Sequence, residues 1–257
     1  MPNRRFNQGE PLPSRGTTTS GGPVRLRLRL HLIRHAETEA NSKRIVIGQS
    51  DSPLTAAGMA QATALGQSDF IKSTPFWRTY TSDLGRTVES IRLLQLPLDR
   101  DVIVEPRLRE LAKGAREGLP KHTTYDEALR IHGGRNASSD HEPPPLLESE
   151  QAALGRLHSW LEDVVLDAIH DFRGSDVCNV LAMSHSGCIR TLVGAIQDET
   201  PPVLIPNASV TIIELLVDSA AGNEDDGTCN FSAMWRDAKL AKRCWCPHLE
   251  ELEGLSQ

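Results

Sequence analysis

Two histidines, each at the end of a strand-like run, are the residues of this chain that could do chemistry together. His35 follows the alternation in RLRLRLHLIRHAETEAN, and His185 follows the apolar run VCNVLAMS. Arg34 precedes the first histidine, and Arg86 follows another short β-prone stretch in WRTYTSDLGRT. A phosphoryl group would suit such a set, because its three outer oxygens carry negative charge and need donors around them.

Each of these side chains has a distinct part in that hypothesis. A neutral His35, with one ring nitrogen fixed by an outer hydrogen bond, would attack phosphorus and form a phosphohistidine that water later hydrolyses. Arg34 and Arg86 would each offer a planar fork of donors. His185 would donate one hydrogen bond, more strongly if protonated. The amides that begin the helix after it would add dipolar stabilisation.

The leaving oxygen must receive a proton, which calls for a carboxylic acid near the phosphoryl site. Glu110 and Glu117, in LRELAKGAREG, are the candidates. We favour Glu110, with Glu117 as a residue that holds backbone near the pocket. Such an acid contributes roughly 10²–10⁴-fold to the rate.

Strand and helix patterns alternate along the chain, which predicts an α/β sandwich with a mainly parallel sheet. Strands are predicted over 25–33, 77–83, 101–106, 177–184 and 209–217, with a last short strand beyond them. Helices are predicted over 54–70, 84–95, 148–172 and 187–197. Ligands collect at the carboxyl ends of the strands in such sheets. This rule brings His35 and His185 to the same edge.

Composition narrows the class of protein. The 257 residues suffice for one large domain or two small ones, and the formal net charge of −6 gives no electrostatic reason to expect nucleic acid or an anionic membrane as partner. No window reaches the roughly 20 apolar residues of a membrane span. The cysteine count of five is odd, which favours a reduced, intracellular setting. A zinc site at CWCPH, 244–248, is a weak alternative, because a four-ligand site would need distant residues.

The N-terminal segment has no apolar stretch of the kind that a secretory signal needs. We predict a cytoplasmic protein, with a mitochondrial presequence as the weaker alternative. Residues 1–23 are rich in Gly, Pro, Ser and Thr and are predicted to be disordered. A loop is predicted over 133–147 and a flexible tail over 251–257. A single catalytic domain would then cover 24–250.

Five motifs, in order, resemble those of the histidine phosphatase superfamily, the phosphoglycerate mutase-like proteins. LIRHAETEAN resembles its RHG-E-T/S-x-x-N signature, and GQSDSPLTAAGMAQA resembles G-x-x-D-x-P-L-T/S-x-x-G-x-x-Q-A. TSDLGRTVES, LRELAKGAREG and SHSGCIRTL are similar to three further segments of the family. PNASVTIIEL resembles its final core strand, and Trp235 and His248 echo the end of the domain. The resemblance covers roughly residues 27–249.

This resemblance implies a three-layer α/β/α sandwich and assigns the roles. By it His35 is the phosphorylated nucleophile, Glu110 is the proton donor and His185 completes the catalytic set. The implied substrate-binding residues are Arg34, Asn41, Gly48, Arg86 and Ser186. No cofactor and no metal are implied, since the arginines take the place that a cation would hold.

Three positions depart from the family pattern. Ala36 and Ser186 stand where the family usually has glycine, but both are small, so the backbone can still approach a phosphate closely. Arg116 stands where tryptophan is common, and could reach a second anionic group of the substrate.

The implied activity is that of a phosphatase acting on a small phosphorylated metabolite. A mutase is the alternative, although GLPKHTTYDEALRIHGG lacks the longer basic, tyrosine-bearing segment of mutases. The acid phosphatase and phytase branch is disfavoured, because RHAETEA and His-Ser replace RHGxRxP and His-Asp. A non-catalytic binding module, or a pocket redeployed for another reaction, are the remaining readings. The only partner indicated is the small substrate, and the sequence indicates no oligomeric state.

Overall fold

A seven-stranded, mainly parallel sheet organises the molecule. The computed structural model describes residues 6–7, 25–97, 101–135, 146–173, 177–196, 204–218, 234–235 and 237–246. In chain order the strands are β1 (Phe6–Asn7), β2 (Arg25–Arg34), β3 (Phe76–Thr81), β4 (Val102–Val104), β5 (Val177–Ser184), β6 (Val210–Asp218) and β7 (Lys239–Trp245). Their order across the sheet is β1-β4-β3-β5-β2-β6-β7. Antiparallel pairing occurs where β6 meets β2 and β7.

Helices cover both faces of the sheet. They are α1 (Glu39–Ser42), α2 (Ala56–Gln67), α3 (Asp69–Ser73), α4 (Gly85–Leu93), α5 (Tyr125–Arg135), α6 (Glu150–Asp171) and α7 (Ser186–Ile196). One core cluster joins α6 and α7 to the sheet, and a second joins α2, α3 and α4 to the opposite face. The predicted three-layer α/β/α sandwich is therefore confirmed. No helix in the described ranges is both long enough and apolar enough to cross a membrane.

The alternation in the first long strand sets which side chains face each layer. Leu28, Leu30 and the other leucines of β2 are buried in the cluster with α6 and α7. The intervening arginines point the other way, where Arg27 and Arg29 both pair with Glu214 of β6. Ile33 is buried against the opposite helical layer. The period of two thus predicted the two faces of this strand.

Three segments differ from the expectations. The helix predicted over 54–70 ends at Gln67, because the Ser68 hydroxyl donates to the Leu65 carbonyl and caps α3 by accepting from the Ile71 amide. Helix α5 was not predicted and runs three residues into the expected loop at 133–147; residues 136–145 lie outside the described part of the chain. Within 1–23, Phe6–Asn7 pair with β4, and the rest of this segment and the 251–257 tail lie outside the described residues.

A histidine in β2 is buried without charge. His31 is 4% exposed, and its Nε2 lies 3.0 Å from Oδ1 of Asn179 on β5. Since that amide oxygen can only accept, the ring donates through Nε2. Phe70 and Phe76 pack against the ring. Burial, with a smaller contribution from the charge of Arg29, lowers the pKa of His31 to about 4.

We therefore expect the protein to lose stability in mild acid. The pKa of His31 is lower in the folded chain than in the unfolded chain, so its contribution is full above pH 6.5 and is lost as the pH falls towards 4. The loss amounts to roughly 3 kcal/mol over that window. Urea unfolding at pH 7.5 and pH 5 should show about 2 kcal/mol of this loss, because pH 5 lies above the folded-state pKa. His31→Gln retains a donor for Asn179 and should flatten the pH dependence; an unchanged slope would contradict the prediction.

Candidate active site

The two histidines of the motifs lie side by side at the carboxyl ends of neighbouring parallel strands. Arg34 of β2 is in register with Ser184 of β5. The His35 amide continues the ladder by donating to the Ser184 carbonyl at 3.0 Å. The imidazole rings of His35 and His185 are 5.3 Å apart between centroids. The predicted juxtaposition is therefore present, although 150 residues separate the two in the sequence.

His35 presents one ring nitrogen as a lone pair. Its Nδ1 lies 2.8 Å from the Ala36 carbonyl oxygen, which can only accept, so Nδ1 carries the proton and Nε2 does not. The side chain is 3% exposed. Burial, followed by the charges of Arg34 and Arg86, holds the pKa of His35 well below its usual range. The imidazole is thus neutral near pH 7, as a nucleophile requires.

His185 is positioned by a serine that the motifs contain but that the sequence reasoning did not single out. Its Nε2 lies 3.0 Å from the Ser82 hydroxyl, whose oxygen accepts from the Leu84 amide, so we assign the hydroxyl as donor to Nε2 and the ring proton to Nδ1. Nδ1 is buried with no hydrogen-bond partner among the described residues. Burial, followed by the nearby charges of Arg86 and Arg34, lowers the pKa of His185 well below its usual range. His185 is consequently neutral before an anion binds, whereas we had considered a protonated ring.

Both motif arginines are buried and held by main-chain carbonyls. Nη1 of Arg34 donates to the Ile205 carbonyl at 2.5 Å. Arg86 donates to the carbonyls of Ser50 and Gly48, each at 2.8 Å. In both arginines the Nε atom is buried and has no partner in the described part of the chain. Burial lowers the pKa of Arg34 to about 10, so this guanidinium stays charged near pH 7.

An asparagine pair fixes the orientation of the Asn41 amide. Oδ1 of Asn41 accepts from the Thr38 amide at 3.3 Å and from Nδ2 of Asn207 at 3.1 Å. Asn207 also donates to the His35 carbonyl at 2.9 Å. With its oxygen used twice, Asn41 has its amino group left for a ligand. The sequence analysis did not identify Asn207 as a site residue, because the segment PNAS that contains it indicates only the start of a strand.

The carboxylate of Glu110 accepts hydrogen bonds from its own loop and from the start of helix α7. Its Oε1 accepts from the Leu111 amide at 2.8 Å and its Oε2 from the Gly187 amide at 3.0 Å. The Ser186 hydroxyl lies 3.5 Å from the same Oε2. The amide of Gly187, which we expected to face the phosphoryl group, therefore binds the carboxylate instead. Gly187 permits this contact because a Cβ there would lie 1.9 Å from Oε1 of Glu110.

Glu117 holds the turn that orients Arg86. Its carboxylate accepts from the amides of Gln49, Ser50 and Lys113 at 2.9–3.1 Å. Partial burial alone would raise the pKa of Glu117, but these hydrogen bonds outweigh it and lower the pKa. This geometry matches the structural part that we gave Glu117. Gly48 lies in the same turn, where its carbonyl faces Arg86.

Replacing Gly48 with alanine should damage this turn. The new Cβ would lie 2.1 Å from Oε1 of Glu117 and 2.7 Å from the Lys113 amide nitrogen. We expect Gly48→Ala to cost about 1–3 kcal/mol of stability. Displacement of the Arg86 guanidinium should lower any activity on phosphoesters by about tenfold or more. Urea unfolding and a steady-state assay with a phosphoester measure the two effects.

Gly155, in α6, supplies the matched control. A Cβ there would meet nothing within 4 Å, so Gly155→Ala should stabilise the chain by about 0.5–1 kcal/mol and leave activity unchanged. Equal behaviour of the two alanine variants would contradict the importance of the turn.

Further cationic side chains lie near Arg34. Burial, together with the charges of Arg34 and Arg44, lowers the pKa of Lys121. The Lys121 amide donates to the Arg44 carbonyl at 2.8 Å, and Nη2 of Arg116 donates to the Lys121 carbonyl at 2.8 Å. Nε of Arg116 is buried without a partner among the described residues. Arg116 thus lies where further positive charge adjoins the pocket.

The described residues contain no group of three or more His, Cys, Asp or Glu side chains that could hold a metal ion. The zinc site considered at CWCPH would use Cys244, Cys246 and His248. The two cysteines lie at the end of β7, and His248 lies outside the described ranges. The Cys244 thiol donates to the Leu204 carbonyl at 3.3 Å.

Comparison with known proteins identifies the family. A sequence profile described as "Histidine phosphatase superfamily (branch 1)" matches residues 30–221. The chain belongs to this superfamily. A probable phosphoglycerate mutase GpmB of Cronobacter sakazakii is 36% identical over 162 residues, which is 52% of this chain and 74% of that protein. Three further relatives of the same name align over 46–48% of their own length.

Two solved structures of bacterial proteins share the fold. YhfR of Bacillus stearothermophilus superposes with a TM-score of 0.61 at 24% identity, over 86% of this chain and 99% of that one. A mycobacterial glucosyl-3-phosphoglycerate phosphatase gives 0.63 at 22% identity, over 86% and 99%. At these identities the superpositions show the fold alone, and the proteins named include one phosphatase and a probable mutase.

Proposed function

We propose that this histidine phosphatase superfamily member is a phosphoric monoester hydrolase that forms a phosphohistidine on His35. One observation carries the proposal. Arg34 Nε, Arg86 Nε and His185 Nδ1 are all buried without a partner among the described residues, and their side chains surround His35. Leaving such donors unsatisfied costs about 1–3 kcal/mol each, more for charged groups, so the arrangement favours an anion with several acceptor oxygens.

The first step transfers the phosphoryl group to the protein. The Nε2 lone pair of His35 forms a bond to phosphorus while the bond from phosphorus to the leaving oxygen breaks. Arg34, Arg86 and His185 donate to the three outer oxygens. Glu110 gives its proton to the leaving oxygen, so that an alcohol departs and a carboxylate remains.

The second step releases inorganic phosphate. Water attacks phosphorus on the side that the alcohol has vacated, and the Glu110 carboxylate takes the proton of that water. The P–N bond breaks and its electron pair returns to Nε2 of His35. The hydrogen bond from Nδ1 to the Ala36 carbonyl keeps the ring in the same tautomer throughout.

The substrate that fits best is a small phosphorylated metabolite with a second anionic group. Lys121 lies near Arg34, and Arg116 bonds to the Lys121 carbonyl. These two cations add positive charge next to the proposed phosphate site, beyond what one phosphate on Arg34 requires. A carboxylate or second phosphate on the leaving group would meet this charge. Matched pairs such as 3-phosphoglycerate and glycerol 3-phosphate test the idea, because they differ at the carboxylate.

A mutase is the second candidate, and the named GpmB relatives favour it. In a mutase the phosphoryl group returns to a different oxygen of the substrate instead of passing to water. An assay of phosphoglycerates with and without a bisphosphorylated primer separates the two reactions. Free phosphate without an isomerised product supports hydrolysis, and primer-dependent isomerisation supports the mutase.

The deciding experiment is a screen of the purified chain against sugar phosphates, phosphoglycerates, nucleotides and phosphoamino acids, with phosphate release as the readout. It is paired with rapid-quench labelling, in which a phosphohistidine appears as acid-labile, base-stable phosphate. A chain that is never labelled by any phosphoester would be a binding module. Activity that survives a chelator is expected, and strict Mg²⁺ dependence would contradict the mechanism.

A further inference from the structure

A partly buried ion pair outside the phosphate pocket is joined to the main chain on both sides of Glu110. We infer that Arg156 and Glu148 form a positioning pair for the proton donor, an inference that rests on the proposed phosphatase function. Neither residue has a part in the reaction steps described above.

The pair has a two-point geometry. Nε of Arg156 donates to Oε1 of Glu148 at 2.7 Å, and Nη2 donates to Oε2 at 2.9 Å. The side chains are 19% and 15% exposed. Hydrogen bonds with Arg156, and the charge of that arginine, lower the pKa of Glu148 against the effect of partial burial. A partly buried fork of this kind holds both side chains in one arrangement.

The remaining donors and acceptors of the pair reach the acid loop, residues 107–112. Nη1 of Arg156 donates to the Arg107 carbonyl at 2.6 Å, three residues before Glu110. The main chain of Glu148 donates to the Ala112 carbonyl at 3.0 Å, and its carboxylate accepts from the Ala112 amide at 3.3 Å. The pair therefore fixes the loop at both ends of the segment that carries the acid.

Two further contacts hold the middle of the acid loop from the sheet and from α7. The Ser184 hydroxyl donates to the Leu108 carbonyl at 2.9 Å, and the Cys188 thiol donates to the Arg109 carbonyl at 2.8 Å. Nη1 of Arg156 approaches the same Cys188 sulfur at 3.9 Å. Of the two ends of the loop, Arg107 is also held by Glu105 and Asp163, whereas both main-chain groups of Ala112 bond to Glu148.

Leaving-group chemistry distinguishes positioning of the acid from general support of the fold. An alkyl alkoxide must be protonated as it leaves, whereas p-nitrophenolate leaves readily without a proton. We expect Arg156→Met to lower kcat for the best alkyl phosphate by about 10- to 100-fold, with KM little changed. With p-nitrophenyl phosphate, the first-turnover release of p-nitrophenolate should change by at most about twofold, because this step needs no proton donor and precedes the attack of water for which Glu110 is the base. Glu110→Gln should show the same pattern with a larger loss.

The ratio of the two rates is independent of how much of a variant is folded, so partial unfolding does not mimic the expected result. Glu148→Gln provides a second test, because it retains one acceptor oxygen and should lose less than Arg156→Met. Arg78→Met is the matched control: Arg78 pairs with Asp167 and Asp171 on α6, the helix that carries Arg156, and among the described residues no hydrogen bond or ion pair joins it to the acid loop. Its rate ratio should equal that of the wild type.

The outcomes separate this inference from the proposed function. A wild-type chain that releases phosphate from neither substrate overturns the proposed function. If the wild type is active and Arg156→Met changes both rates equally, or neither, the positioning role is wrong. Wild-type activity on p-nitrophenyl phosphate alone would show that no proton donor operates, and would also overturn the inference.

Discussion

His35→Ala is expected to reduce phosphate release by about 10⁴- to 10⁶-fold, the largest effect of any single substitution in this chain. The alanine removes the only atom that we propose bonds to phosphorus, so the two-step route is lost. The pocket donors remain, since Arg34, Arg86 and His185 are held by their own contacts. The variant should therefore still bind a phosphate-like anion.

Steady-state phosphate release and rapid-quench labelling measure this effect. The wild type should carry acid-labile, base-stable phosphate, and His35→Ala should carry none. His170→Gln, at an exposed position on α6, is the control and should behave as the wild type. A His35→Ala variant that retained labelling would place the phosphorylated atom elsewhere.

Glu110→Gln is expected to lower kcat for alkyl phosphates by about 10²–10⁴-fold. Glutamine can still accept from the amides of Leu111 or Gly187 through its one oxygen, but it cannot supply a proton to the leaving group. The loss should shrink for the first-turnover release of p-nitrophenolate from p-nitrophenyl phosphate, which needs neither a proton donor nor the later action of Glu110 as base. The wild type and the variant are compared at saturating concentrations of both substrates.

Glu117→Gln tests the alternative assignment of the acid. Glu117 holds the amides of Gln49, Ser50 and Lys113, so its replacement should lower activity on both substrates in equal proportion. A loss at Glu117 that is confined to alkyl phosphates would exchange the roles of the two glutamates.

Particular residues show how much of the fold and of the candidate site could be predicted from the sequence. The leucine alternation in β2 predicted the faces of that strand, because a period of two follows from the pleat. The strand ends predicted that His35 and His185 meet, because parallel strands deliver their carboxyl ends to one edge. The break at Ser68 was not predicted, because the serine side chain competes locally with the helical backbone.

The sequence by itself determined the long strands, the helices α2, α4, α6 and α7, the edge at which the two histidines meet, and the family. Only the tertiary structure decided the His35 tautomer, the part of Asn207 and the pairing of Arg156 with the acid loop. Hydrophobic periodicity and motifs predict the type of each element and which of its faces is buried, because these depend on residues that are close in sequence. By contrast, the donor that satisfies a given carbonyl can lie 49 or 172 residues away, as Arg156 does from Arg107 and Asn207 from His35. Burial, which makes both active-site histidines neutral, likewise exists only once the layers have packed.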